Sequence, residues 1–313
     1  MYDTSDPRAT LSTAAPAAAA GAALPRGEPL RSATVARFYD APPAETNRFA
    51  DTWYARGQNF VVASIEAREG IVFSRDEHPD EYALLIADSS TSVVVEAGGV
   101  ESAVPGRSIA FVPPGRSRIR VRDPGRLIVI ATSRSADLCA KCCNAREYET
   151  PDARVAALED WPVPPDGFKL RCYSLDVPDD PGRFGRIWRC STLMLNIFPP
   201  QAGPRDVTKL SPHHHDDFEQ GSLVTEGVYA HHLRWPWTAD MNLWRPDAHE
   251  VCGAPSLTVI PPTVIHTSRA IEDGINQMVD IFSPPRPDFS ERPGWVLNED
   301  DYPRPPNTMG RMP

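Results

Sequence analysis

Two stretches decide the fold: SIAFVPPGRSRIRV, residues 108–121, and SLTVIPPTVIHTS, residues 256–268. Each runs a short apolar strand into a Pro-Pro turn and returns on a second strand. They lie about 150 residues apart, the signature of an internal duplication. Working outward from the first, the runs NFVVASIEA, YALLIA, SVVVEAGG and LIVIATS are apolar or alternating and are separated by turn residues. Around the second lie IWRCSTLMLNIF, QGSLVTEG, VYAHHLRW and NQMVDIF. Short strands at such spacing predict a sandwich or barrel, here two all-β units in tandem. The chain has 34 prolines in 313 residues, about twice the usual share of roughly 5%, which breaks helices and favours this reading.

The same punctuation divides the chain. Residues 1–30 are an Ala/Pro-rich stretch read as a disordered leader. Residues 31–138 form the first β unit and 139–185 a polar linker. Residues 186–284 form the second unit and 285–313 a Pro-rich tail pinned by Phe289 and Trp295. Within the linker, PDARVAALED predicts a short helix, with Thr150 as cap and Pro151 in the first turn. A net charge of -10 without a Lys/Arg block excludes the electrostatic footprint of a nucleic-acid binder. No apolar run is long enough to span a bilayer. Asp3 and Asp6 stand where a secretory signal would be basic. A cytoplasmic protein with reduced thiols is expected. Cys139 and Cys142 form a CxxC pair, but no second pair at matching spacing completes a zinc site.

Seven of the eight histidines fall between His213 and His266, so the second unit uses imidazole and the first does not. In PHHHDDFEQ, residues 212–220, strand alternation would turn His213, His215 and Glu219 to one face and His214 to the other. His266, past its Pro-Pro turn, can bring a third imidazole to the same point. Imidazoles with one carboxylate make a mixed N/O set suited to Fe(II), Mn(II), Ni(II), Cu(II) or Zn(II), with positions open for substrate. The bland alternative is a solvated acidic loop.

The pattern HxHxxxE at His213, His215 and Glu219, followed by Gly227 and then PxxxxH from Pro261 to His266, resembles the two motifs of the cupin superfamily. That resemblance covers the second half by motif and the first half by strand pattern, and implies a bicupin of two jelly-roll barrels. It implies a metal held by His213, His215, Glu219 and His266, with Fe(II) the leading ion. Thr263 stands where the family has glycine, and Ala270 where it often has Asn. The spacing from Glu219 to Gly227 is one residue longer than usual. A register with His214, Asp216 and Gln220 inward would restore that spacing, so both registers stay open, with a bulge near Gly221 reconciling the first. The first half offers only His78, with Asp76 and Glu81 nearby, and Arg118 where a ligand would stand. It is expected to be a metal-free structural or dimer-forming barrel.

On the strand after the motif, Tyr229, His232 and Arg234 are the catalytic candidates, although alternation admits only one of His231 and His232 to the interior. Trp235, Trp237, Trp244, Arg245 and His249 could wall a site for a planar or anionic small molecule, or simply fill a barrel mouth. Of Gln277 and Asp280 at most one faces inward. The resemblance implies a metal-dependent oxygenase, an Fe(II) dioxygenase acting on a small organic acid or aromatic. Two alternatives remain: an isomerase or decarboxylase using the metal as Lewis acid, and a non-catalytic ligand-binding cupin.

Overall fold

The structure, a computed structural model, describes residues 30–306. The expected leader up to residue 29 and the last seven residues of the tail lie outside them. Antiparallel strands form four sheets, two to each half. In the first half, one sheet runs Arg171–Ser174, Ser108–Val112, Tyr82–Ile86, Gly125–Thr132, Phe60–Ala67, Ala50–Arg56 and Glu45–Thr46. It closes over a second sheet of Gly70–His78, Gly115–Asp123, Ser92–Ala97 and Val100–Val104. In the second half, Ser256–Ile260, Gln220–Glu226, Ile275–Phe282, Met194–Ile197 and Ile187–Arg189 lie side by side. They face a smaller sheet of Ala248–Gly253, Val228–Arg234 and Ile265–Ala270. These are two jelly-roll barrels in tandem.

The continuous apolar runs have a simple cause. The two large sheets pack on each other, so their strands are buried on both faces. Val61, Ala63 and Ile65 fill the first barrel with Leu84, Ile86 and Val129. The alternate residues Phe60, Val62, Leu85 and Ile130 meet Leu195, Leu223, Val259 and Ile281 of the second half in one shared layer. Each such side chain contributes roughly 1.5–3 kcal/mol on full burial, which binds the halves into one unit.

The quoted strands Ser108–Val112 and Ser256–Ile260 occupy equivalent places, and each receives an edge neighbour from ahead of the other half. Thr34–Arg37, before the first barrel, pairs with Ser256–Ile260 of the second. Arg171–Ser174, before the second barrel, pairs with Ser108–Val112 of the first. The exchange covers two sheet edges that would otherwise expose unpaired backbone.

The helix expected in PDARVAALED does not form. Residues 151–160 cross between the halves in turns and irregular backbone. Asp152 N–H donates to Gln58 Oε1 at 2.7 Å, Asn59 Nδ2 donates to Ala156 O at 2.8 Å, and Ala156 N–H donates to Asp217 O at 2.9 Å. Those long-range bonds replace the intrahelical ones that the Thr150-Pro151 pattern would have started. In the tail, Phe289 and Trp295 are buried against Phe282 and Ile187. No helix among the described residues is long and apolar enough to cross a membrane.

Candidate metal centre

The segment from Pro212 to Gln220 is not a continuous strand. His213 makes a single antiparallel bridge with His266, its N–H donating to His266 O at 3.0 Å and its carbonyl oxygen accepting the His266 N–H at 2.7 Å. The chain then bends at Asp216 and Asp217, and the strand proper begins at Gln220. Alternation restarts after the bend. His213 and His215 therefore face the interior before it, and Gln220, Ser222 and Val224 face the interior after it.

His213, His215 and His266 form the one cluster of metal-ligating side chains found among the described residues, with a ligand atom from each lying within 4.8 Å of the others. Glu219, expected as their carboxylate partner, points the opposite way. Its Oε2 accepts the Gln58 N–H at 2.5 Å, and its Oε1 is buried without a hydrogen-bond partner among the described residues. Burial pushes its pKa up to about 7. Gln220 takes the interior place instead, its Oε1 lying 3.0 Å from His215 Nε2 and 3.4 Å from His266 Nε2. Neither expected register holds whole: the histidines follow the first and Gln220 the second. His214 and Asp216 form an exposed pair at 3.4 Å. The extra residue between Glu219 and Gly227 was the sequence signal for Gln220.

The amide orientation of Gln220 is set by its neighbours. Its Nε2 donates to Asp280 Oδ1 and Ser222 Oγ, both at 3.0 Å, which turns the carbonyl oxygen toward the imidazoles. Asp280 is thus the inward member of the Gln277/Asp280 pair, while Gln277 Nε2 donates to Phe198 O. His213 Nδ1 donates to Ser211 O at 2.8 Å, and His266 Nδ1 donates to Val264 O at 2.9 Å. These carbonyls fix the tautomers and leave both Nε2 atoms as lone-pair donors. His266 Nε2 and Gln220 Oε1 are then two acceptors facing one another, an arrangement that suits a cation between them. The residues fit a divalent transition metal with three nitrogen ligands and one neutral oxygen ligand. His215 differs: Arg286 Nη1 lies 3.4 Å from its Nδ1, placing a donor where a metal-bound imidazole would carry its proton. Burial, and then the Arg286 guanidinium, push the His215 pKa well below its usual value.

The turn before His266 holds Thr263 at φ +68°, with its N–H donating to His215 O at 2.6 Å. The left-handed conformation is adopted here by a β-branched residue, at a cost.

A cavity of about 550 Å³ opens onto His213, His266 and Gln220. Phe184, Phe198 and Met278 give it an apolar wall, and Arg205 and Lys209 stand at its lining. Tyr229 also lines it. Burial, then the Asp280 carboxylate, push the Tyr229 phenol up to about 12, so it keeps its proton. The other two catalytic candidates are not at the cavity. Arg234 is exposed and paired with Asp247, its Nη2 2.6 Å from Oδ2. His232 bonds His249, Nδ1 to Nδ1, at 2.8 Å on the outer face. Parity along Val228–Arg234 turns Tyr229 and His231 inward, and His231 is fully buried. Nor do the tryptophans wall the site: Trp237 and Trp244 stack on each other at 4.6 Å on the surface, and Trp235 packs in a core with Leu233 and Val264. In the first barrel His78 is buried, bonded to Asp80 O at 2.8 Å and Ser135 Oγ at 3.1 Å. Cys139 and Cys142 donate their thiols to the carbonyls of Ser133 and Leu138.

No family model matches the chain, and no curated protein matches its sequence. Solved structures do match in fold. AerE from Microcystis aeruginosa is 9% identical, with a TM-score of 0.51 over 82% of this chain and 98% of that one. A single-residue variant of oxalate decarboxylase from Bacillus subtilis is 11% identical, with a TM-score of 0.56 over 82% of this chain and 78% of that one. The oxalate decarboxylase of Lactobacillus farciminis, solved as a formate complex, is 11% identical, with a TM-score of 0.51 over 83% and 88% of the two chains.

Proposed function

The chain has the bicupin fold, and from it we propose a metal-dependent enzyme of the second barrel that acts on a small organic acid. One observation carries this reading: three imidazoles and an oriented amide oxygen converge at the wall of a cavity of about 550 Å³. His213 and His266 would hold the ion through Nε2, with Gln220 Oε1 beside them and His215 completing the set. A divalent ion there supplies Lewis acidity toward a bound carboxylate or carbonyl.

The residues around it favour proton-transfer chemistry. All four ligating groups are neutral, and among the described residues lining the cavity Asp280 is the one carboxylate to offset the charge of the ion, so an anion is the favoured occupant. Arg205 and Lys209 add positive potential. Phe184, Phe198 and Met278 make one wall apolar, which strengthens polar contacts beside it. The Tyr229 phenol keeps its proton and stands ready to donate it to a developing carbanion or enolate. Decarboxylation or isomerisation of an organic acid fits this set best, and the fold neighbours include oxalate decarboxylases.

An Fe(II) dioxygenase is the second reading, favoured by the apolar wall beside a three-histidine set, since O₂ is itself apolar. Loading the protein with Mn(II) or Fe(II), then following CO₂ release and O₂ uptake over a panel of keto, hydroxy and dicarboxylic acids, separates the two. CO₂ release or isomerised product without O₂ uptake supports the first. Stoichiometric O₂ uptake supports the second, and no retained metal sinks both.

A further inference from the structure

Ser268 lines the cavity two residues along the strand from His266 and on the same face, roughly 7 Å away along the strand. Its Oγ lies 2.7 Å from His231 Nδ1. His231 is fully buried, and its Nε2 has no hydrogen-bond partner among the described residues. An orphaned buried N–H is rarer than an orphaned acceptor. A proton on Nδ1 would donate to Ser268 Oγ and leave the serine O–H for the cavity, whereas a proton on Nε2 would be an orphaned buried N–H. Tyr229, the cross-strand neighbour of Ala270, lines the same cavity and lies parallel to the His231 ring at 6.5 Å.

We propose that Ser268 and Tyr229 form a two-donor cradle for the oxyanion of a metal-bound substrate, with His231 as the residue that positions Ser268. The proposal rests on the metal reading above and specifies how its substrate is held. A ligand held at the ion by one oxygen would offer a neighbouring oxygen to these two hydroxyls on the cavity wall. Donors fixed in place stabilise developing negative charge without reorganising. The cradle thus favours ligands with a second oxygen beside the ligating one, as carboxylates and catechols have, over those with a single oxygen.

The test uses Mn(II)-loaded protein and 4-nitrocatechol, a bidentate oxyanion whose visible absorbance reports its hydrogen bonding. Ser268→Ala is expected to weaken binding roughly tenfold, the size of one hydrogen bond to a charged group, and to shift the bound absorbance, with Mn(II) content unchanged. Ser268→Thr keeps the hydroxyl and should bind as wild type. His231→Phe should weaken binding several-fold with Ser268 intact, and His231→Asn, whose amide N–H replaces Nδ1–H, should restore it. Nitrogen-15 shifts of labelled histidine in the metal-free protein should show His231 neutral and protonated at Nδ1. Binding by Ser268→Ala within twofold of wild type, no binding by the loaded wild type, or His231 protonated at Nε2 overturns the cradle. Failure of the wild type to retain Mn(II) overturns the metal reading instead, and the histidine shifts still judge the His231–Ser268 pair.

Discussion

Glu219 and Gln220 are consecutive and leave the chain in opposite directions, the first to the Gln58 N–H at 2.5 Å and the second to His215 Nε2 at 3.0 Å. The carboxylate serves the junction between the halves, and the amide serves the histidines. Glu219→Gln should leave metal content unchanged, as measured by elemental analysis of the purified variant. Gln220→Glu should act in two directions. Without metal it sets a carboxylate against Asp280 and loses the Nε2 donor, lowering stability by about 1–3 kcal/mol. With metal it supplies an anionic ligand. Thermal unfolding with and without Mn(II) should show a lower metal-free Tm and a larger metal-induced rise than wild type.

Parity reasoning works only along unbroken strand. His213 and His215 come to one side because both precede the bend at Asp216. Parity assigned Glu219 incorrectly because the count was carried through that bend. The one-residue excess before Gly227 was legible and pointed to Gln220. The tandem all-β plan was legible too, since strands buried on both faces must be continuously apolar. His231 and His232 could not be told apart without knowing where their strand starts. The lost helix after Thr150 obeys local capping rules, but Gln58 and Asn59, distant in sequence, bind its backbone first.

Arg286 holds a donor against Nδ1 of His215 at 3.4 Å. Arg286→Gln would put an acceptor there, matching the Nδ1–H of a metal-bound imidazole. Metal affinity should rise about tenfold, the scale of such supporting contacts. Competition against a chelator measures it, and weaker binding in the variant would show that the arginine helps the site instead. Some stability should be lost, because the guanidinium also packs over Phe289 at 3.8 Å and pairs with Asp288.

Thr263 adopts φ +68° and buries its Oγ1 without a hydrogen-bond partner among the described residues. Thr263→Gly removes both costs. It should stabilise the protein by about 1 kcal/mol, since left-handed backbone costs an L-residue roughly 1–2 kcal/mol and glycine returns part of that in chain entropy. Urea denaturation of the metal-free protein reads the difference, and a destabilised variant would contradict it.

Burial pushes His78 down to about 4 from an ordinary value near 6.5. The folded state therefore favours the neutral ring. Its contribution is fully present above pH 6.5 and is lost as pH falls from there through 4, by at most about 3 kcal/mol. Asp80, whose pKa burial raises, contributes in the opposite sense, gaining as pH falls. Comparing wild type with His78→Gln isolates the histidine: the variant should lose less stability between pH 7 and pH 4.5, and parallel curves would refute the assignment.

The exchanged edge strands bear on how the chain comes off the ribosome. Thr34–Arg37 emerges early, yet its partner Ser256–Ile260 is made more than two hundred residues later, an interval of roughly 10–40 s at ordinary synthesis rates. Until then the first strand has no partner, and the second barrel has an open edge. Only the other exchange, between Ser108–Val112 and Arg171–Ser174, can close promptly. Assembly is therefore ordered by the sequence itself, first barrel before second, and it ties a strand made early to the strand that leads into the turn before His266.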